Sequence, residues 1–363
     1  MTTQRRPRSL HMTVMAMAVA ALVACGSTAQ SSPTGDHVAG LPPPMTVEIG
    51  AFPPYPQDKL PHAVADSLQA VIEKAVAQGQ VRGVVAAVIV ADAGDWVGAA
   101  GIDPRNAALT ADAPVETASI AKTITAAQIL RLVEEGKLGL DDQASSYLSP
   151  ALARFNLNHA TVRDLLGMRS GLSDPYATLA KPGATAVQQL AGLTSPQHRA
   201  GTTIKYANIN YLLLGEIVEH VTGHEFWSVV HTDVLDQPGL DGLAFSTTDA
   251  RAADGLGVAA DAATLARWGY LLYGGFVLRD ASLREMVAFR GEWYGLGTVD
   301  FSHPDTVGPH DSPGVGHGGW DPSVVTRLIA FPRTGVVVSV QANADSLEQI
   351  TPVMAALRDA ATL

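Results

Sequence analysis

The sequence predicts an α/β fold of the α+β kind, in which one antiparallel sheet is flanked by helices and an all-helical lobe is inserted into it. Two observations lead there. Runs rich in β-branched residues come in pairs near both ends of the folded chain, and the stretch between them carries apolar residues at helical spacing. Strands that come first and last must meet to complete one sheet, and the helices between them then form a second lobe with a cleft at the junction. The 363 residues are 47% hydrophobic and 16% charged, a composition with enough apolar surface for two packed lobes.

Taken in order, Val64, Leu68, Val71, Ile72 and Ala75 keep helical spacing up to Gly79 and predict a first helix. Val84 to Ala91 and Trp96 to Gly101, joined by Asp92-Ala93-Gly94-Asp95, predict a hairpin. A helix is expected from Ser119 to Glu135, stopping at Gly136. Another starts at Thr161, where Asp164 three residues on gives a reciprocal capping pattern. A third runs from about Ile209 through Leu213, Ile217 and Val221 to Gly223, and Leu265, Trp268, Leu271 and Leu272 mark a further one. Val324 to Phe331 and Gly335 to Ala342 predict a second hairpin around Pro332-Arg333-Thr334. The closing helix is expected from about Pro352, because proline favours the first helical turn.

The N-terminus reads as an export signal. Arg5, Arg6 and Arg8 precede a short apolar run from Met12 to Ala21, too short to span a bilayer, and then Leu22-Val23-Ala24-Cys25. Cys25 is the chain's one cysteine, so disulfides and thiol redox chemistry are excluded. Leu22-Val23-Ala24-Cys25 resembles the lipobox of bacterial lipoproteins, in which the cysteine is acylated and becomes the mature N-terminus. That resemblance implies residues 1–25 as signal peptide and a protein held by lipid at the outer face of the bacterial cell membrane. Residues 26–60, rich in Ser, Thr, Gly and Pro, are expected to be a flexible tether. The folded body is then 61–363, with an α/β lobe of about 61–118 and 245–363 and a helical lobe of about 119–244. The net charge of −11, with no basic run beyond the extreme N-terminus, argues against a nucleic-acid partner.

Ser119-Ile120-Ala121-Lys122 carries the chemistry. Residues at i and i+3 share one face of a helix, so the Lys122 amine can take the Ser119 proton as the hydroxyl attacks a carbonyl. Serine is a weak nucleophile without such a neighbour, and an amine serves as base only when uncharged, which calls for burial. A lobe junction supplies that burial.

Further motifs follow in order: Tyr206-Ala207-Asn208, then His317-Gly318-Gly319. With Ser119-x-x-Lys122 they resemble the three ordered motifs of the penicillin-recognising serine hydrolases, which include class C β-lactamases, D,D-peptidases, D-aminopeptidases and related esterases. The connecting segments Leu132 to Asp142, Leu165 to Leu172 and Tyr211 to Ile217 resemble the family's in the same order, over roughly residues 62 to 345. The resemblance implies a β-lactamase/transpeptidase-like fold and an acyl-enzyme mechanism on a small-molecule or peptide acyl substrate, with no metal and no organic cofactor. It implies Ser119 as nucleophile, and Tyr206 sharing proton transfer with Lys122. It also implies Asn208 hydrogen-bonding Lys122 and the substrate amide, and the backbone N–H groups of Ser119 and Trp320 as the oxyanion hole. Gly318 and Gly319 would let a substrate backbone lie against their strand.

The third motif departs from the Lys-Thr-Gly usual in dedicated β-lactamases, and a histidine there is expected to give a partial, pH-dependent positive charge. That makes β-lactam hydrolysis a less natural main activity. Trp320 puts a bulky side chain beside the oxyanion position, and Met168 stands where many relatives carry histidine. Two other readings compete. A non-enzymatic envelope binding module would keep the fold without the chemistry. A metallohydrolase would use His220 and His224 with Glu219 and Glu225, but the zincin pattern wants Glu directly after the first histidine, where Val221 stands. The sequence carries no signal of oligomeric state.

Overall fold

The computed structural model describes residues 49, 52–175, 185–193, 195–246, 250–255, 257–322 and 324–362. Its helices are α1 (His62–Ala77), α2 (Ala121–Glu134), α3 (Pro150–Ala153), α4 (Val162–Leu166), α5 (Ala186–Leu190), α6 (Ile209–Thr222), α7 (Phe226–Asp233), α8 (Ala262–Tyr273), α9 (Asp280–Met286) and α10 (Leu347–Ala361). Its strands are β1 (Gly83–Val90), β2 (Gly94–Gly101), β3 (Val115–Glu116), β4 (Ala244–Phe245), β5 (Val258–Ala260), β6 (Val299–Asp300), β7 (Val315–Asp321), β8 (Val324–Phe331) and β9 (Val336–Asn343). The proposed signal peptide, Cys25 and most of the proposed tether lie outside the described residues.

The two ends of the body do meet. The main sheet has the order β2-β1-β9-β8-β7-β6, antiparallel throughout, with Val84 opposite Ala342 and Val88 opposite Val338 where β1 joins β9. β1, β8 and β9 are buried along nearly their whole length, as strands covered on both faces must be. Successive strand residues point to opposite faces. On β8, Arg327 reaches Thr351 of α10 while Leu328 packs against Gly269 of α8, so α10 and α8 cover opposite faces. α1 joins α10 on its face.

Between the strands, α2 packs against α6, α7 and a 3₁₀ segment, Ala250–Asp254. Leu212, Leu213, Leu214, Ile217 and Val218 make α6 apolar nearly all round, which is why it is central rather than peripheral. Gly223 ends α6 in the left-handed region at φ 74°, where only glycine is unstrained. Thr161 and Asp164 form the expected reciprocal cap of α4, although that helix is only five residues long.

Three elements differ from the sequence-based expectation. Residues 52–60 are packed rather than tether-like: Leu60 N donates to Asp95 O at 2.9 Å, and Tyr55 Oη donates to Asp95 Oδ2 at 2.8 Å. Phe52 and Tyr55 also lie on Tyr270, whose hydroxyl donates to Pro53 O. Proline and serine content masked these aromatic anchors. The last helix begins at Leu347, five residues before Pro352, because Gln349 Oε1 accepts from the amides of Asp345 and Ser346 and fixes an earlier start. A small sheet of order β3-β5-β4 is also present, with strands of two or three residues that are too short to show a period.

That small sheet sets up the turn before α2. Thr117 N and Oγ1 both donate to Val258 O, at 2.8 and 3.1 Å, and Thr326 Oγ1 of β8 donates to Thr117 O at 3.1 Å. Each such buried bond contributes about 1 kcal/mol. The next residue, Ala118, has φ 46°, which costs about 1–2 kcal/mol for a side-chain-bearing residue and has to be held by its surroundings. Gly255 is part of that hold. It sits at φ 107° with its missing Cβ position 2.1 Å from Ala118 O. Gly255→Ala is therefore expected to lower unfolding free energy by about 2–3 kcal/mol in urea denaturation; an unchanged midpoint would show that the Ala118 turn is not held there.

Candidate active site

Ala118–Ile120 form one 3₁₀ turn that runs directly into α2. Ser119 and Lys122 therefore stand one turn apart, and Lys122 Nζ donates to Ser119 Oγ at 3.0 Å. Lys122 is wholly buried and also donates to the carbonyl of Asp254 at 2.6 Å. Thr125, one turn on, donates to Ala253 O at 2.7 Å, so two α2 side chains fasten the 3₁₀ segment beneath the site.

Tyr206 reaches the same place from the loop before α6. Its ring centroid lies 5.4 Å from Lys122 Nζ, and the buried Tyr211 ring lies 5.6 Å from the same atom. The loop is held by a network built on Asn210, which receives from Ser170 Oγ at 2.5 Å and donates to Ala207 O at 3.0 Å and to Met168 Sδ at 3.4 Å. Met168, at φ 57°, also accepts from Lys205 N through its carbonyl. Met168 thus holds the Tyr206 loop from behind. Asn208 does not bond Lys122 as expected. Its Nδ2 donates to Asp174 Oδ2 at 3.3 Å, and Asp174 Oδ1 accepts from Ile209 N at 2.8 Å, so this carboxylate caps α6 and turns the Asn208 amide.

β7 brings the third motif alongside. Past Gly316 it has β8 on one side and, on the other, the Ala118–Ile120 turn in place of a strand. The two glycines do different things, because neighbouring strand positions face opposite ways. Gly318 lines the cavity next to Ser119. Gly319 faces the protein: a Cβ there would stand 2.5 Å from Thr117 O and 2.4 Å from Thr326 Oγ1, so it lets the backbone at Thr117 lie close against β7 and leaves no room for substrate on that side.

His317 also departs from expectation. It is buried, its Nδ1 lies 2.6 Å from Gly318 O and its Nε2 lies 3.1 Å from Tyr294 Oη. Burial, with Lys122 nearby, pushes its pKa down to about 3 despite the opposing Gly318 carbonyl. The ring is neutral at physiological pH and supplies no anion-attracting charge, so the expected partial charge is corrected. A carbonyl only accepts, so Nδ1 carries the proton and donates to Gly318, and Nε2 accepts from the Tyr294 hydroxyl.

Ser119, Tyr206, Asn208, His317, Gly318 and Trp320 line one cavity of about 410 Å³. Trp320 is half exposed on its rim, with Nε1 donating to Asp345 O at 3.0 Å, which draws the indole toward the loop before α10. Arg327 lines the inner wall. It is fully buried, donates by Nη1 to Thr351 Oγ1, and its Nε and Nη2 have no hydrogen-bond partner among the described residues. Burial lowers its pKa to about 10, with Glu348 opposing, so it stays charged at neutral pH. Sequence reasoning missed Asp174, Asp254, Tyr294 and Arg327. Only Arg327 gave a signal, as the one charge inside the apolar run Val324 to Phe331.

The residues of the metal reading serve a helix junction. Gly223 separates His220 from His224 at the end of α6, and Glu219 Oε1 accepts from Phe226 N at 2.9 Å to start α7.

Comparison with known proteins agrees with this geometry. The Beta-lactamase family model matches residues 68–363. Protein flp of Staphylococcus aureus strain COL is 27% identical over 141 residues, 37% of this chain and 28% of that protein. A D-aminopeptidase of Brucella anthropi is 28% identical over 142 residues, 37% of this chain and 26% of that protein. The chain thus spans under a third of the length of these curated relatives. Among solved structures, a D-amino acid amidase from Ochrobactrum anthropi SV3 complexed with L-phenylalanine matches with TM-score 0.68 and 20% identity, over 82% of this chain and 98% of that one. A D-stereospecific amidohydrolase from Streptomyces sp. matches with TM-score 0.64 and 24% identity, over 80% and 98%. At such identities the likeness is one of fold, and it is the fold of a β-lactamase/transpeptidase-like protein. Because the family model covers most of the chain, from α1 to the C-terminus, this protein belongs to the Beta-lactamase family of serine hydrolases.

Proposed function

We propose that this protein is an exported serine hydrolase that forms an acyl-enzyme on Ser119 and acts, in the manner of a D,D-peptidase, on a peptide or related acyl compound bearing a carboxylate. The observation that carries the reading is the 3.0 Å contact between Lys122 Nζ and Ser119 Oγ at the floor of the cavity. Ser119 Oγ attacks the acyl carbon as its proton passes toward Lys122 and Tyr206. The Ser119 and Trp320 backbone N–H groups hold the oxyanion. The carbon–nitrogen or carbon–oxygen bond then breaks, and the leaving group takes the proton from Tyr206. Water attacks the acyl-enzyme by the same proton path in reverse, freeing Ser119. Asn208 and Gly318 line the cavity where the substrate chain would run.

The choice of substrate rests on charge. His317 is neutral, whereas Arg327 keeps a charge and two idle N–H donors at the cavity wall, so a carboxylate is the group that would satisfy it. Asp305, the acidic residue among those lining the cavity, is exposed, whereas Arg327 is buried. The D-specific names of the amidohydrolase, amidase and aminopeptidase relatives support a D-configured residue. An envelope location, by way of Cys25, would put cell-wall peptides within reach.

Ser119→Ala is expected to lower turnover of a p-nitrophenyl ester or a D-Ala-D-Ala peptide by at least about 10³-fold while leaving the melting temperature unchanged; undiminished hydrolysis, or no fluorophosphonate label on wild-type Ser119, would favour the binding-module reading. Arg327→Gln should raise KM about tenfold or more for the peptide carboxylate and leave an uncharged ester's KM within about twofold. In the wild type that peptide KM should be flat from pH 5 to 8, since His317 with a pKa of about 3 stays neutral and Arg327 with a pKa of about 10 stays charged across that span. A KM that climbs through pH 6.5 would return the charge to His317. Cys25→Ser is expected to move the protein from the membrane to the soluble fraction on cell fractionation; retention in the membrane would refute the lipid anchor.

A further inference from the structure

The residue that the mechanism leaves unused yet touches two of its parts is Tyr294. It is buried, its hydroxyl lies 3.1 Å from His317 Nε2, and its ring meets Tyr206 edge-on at 6.1 Å and 89°. With His317 5.7 Å from Tyr294 and 6.3 Å from Tyr206, the three rings form a closed triangle. Tyr206 needs such a brace. It is 37% exposed, and among the described residues no hydrogen bond from its own hydroxyl fixes the ring. Edge-to-face contacts of this kind contribute about 0.5–1.5 kcal/mol beyond area burial and set an orientation as well as a distance.

Tyr294 is itself firmly held. Trp293 O accepts from Asp300 N at 2.9 Å, Tyr294 bridges to Val299, and Gly295 N donates to Thr298 O at 2.9 Å, which closes a tight hairpin. At its tip Gly297 packs against the α2 turn that carries Lys122: a Cβ there would lie 3.0 Å from Lys122 O and 2.5 Å from the Ala126 Cβ. The brace on Tyr206 is therefore referenced to the same helix turn as the amine it must meet. Burial, with the nearby Tyr211 and Tyr206 phenols, holds the Tyr294 pKa well above the ordinary tyrosine value, so Tyr294 keeps the proton it donates to His317.

We infer that Tyr294 is a positioning residue that orients Tyr206 by ring contact and locks the His317 ring by hydrogen bond. The inference rests on the reading of Tyr206 as the proton carrier. It is tested with Tyr294→Phe, which keeps the ring and removes the donor, and Tyr294→Leu, which removes both, on the p-nitrophenyl ester. Relative to wild type, kcat is expected to fall about tenfold in the Phe variant and about a hundredfold in the Leu variant, with KM within about twofold in each. A merely structural role would lower the melting temperature without this split. A kcat within about twofold of wild type in the folded Leu variant would overturn the inference, as would a KM rising in step with the fall in kcat. Should the Leu variant not fold, a kcat within about twofold of wild type in the Phe variant overturns it instead. Fluorophosphonate labelling of wild-type Ser119 keeps the two readings apart: absence of label sinks the hydrolase and this inference together, whereas label with unaffected variants sinks this inference alone.

Discussion

The structure depends on one close approach, where the Thr117–Ala118 backbone is pressed onto the face of Gly319. Thr326 Oγ1 clamps Thr117 O from the next strand, and a single methyl group on Gly319 would intrude to 2.4–2.5 Å on both partners. This contact presses the segment just before Ser119 onto the sheet, immediately ahead of the turn into α2. It sets how far Ser119 stands from the free edge of β7, and so whether a carbonyl placed between them can meet both the hydroxyl and backbone N–H donors. The strain at Ala118, φ 46°, belongs to the same junction, and Gly255 and Thr117 hold it from either side. Strain of this sort persists only where neighbouring contacts over-determine the backbone.

Charge is distributed by burial more than by residue type. The third motif begins with a residue that could be cationic, yet its ring is sealed between Gly318 O and Tyr294 and stays neutral. Lys122 is engaged by Ser119 and by the Asp254 carbonyl. That leaves Arg327 as a buried cation with donors to spare on the cavity wall. A buried charge with unmet N–H donors is costly, and a bound anion is a group that would complete it. The cavity thus carries its electrostatic demand on the strand behind the motif, and the motif itself supplies shape and a braced ring.

The loop bearing Tyr206 shows how a connection between helices is held in place. Asn210 gathers Ser170, Met168 and Ala207 into one buried network, and Asp174 caps the following helix while holding Asn208. All of these lie outside the short motifs. They tie the loop to α6, whose Tyr211 in turn donates to Leu166 O and faces Lys122. Positioning at this level matters because a displacement of about 1 Å in a reacting group can cost about a hundredfold in rate.

Elements whose signal is local are legible along the chain: both hairpins, the amphipathic α1, the Gly223 stop of α6, the Thr161 and Asp164 cap, and the pairing of Ser119 with Lys122 by a three-residue helical step. Local spacing suffices there because periodicity and capping act over a few residues. The family resemblance added Tyr206 and His317, which the fold gathers around the same cavity. Features that depend on distant partners emerge only on folding. These include the neutral state of His317, the inward turn of Gly319, Asp174 rather than Lys122 as the partner of Asn208, the packed residues 52–60, and the buried placement of Arg327 and Tyr294 beside the motifs. Each of these follows from desolvation or close contact between segments tens to hundreds of residues apart, and no pattern along a single stretch of chain encodes such a quantity.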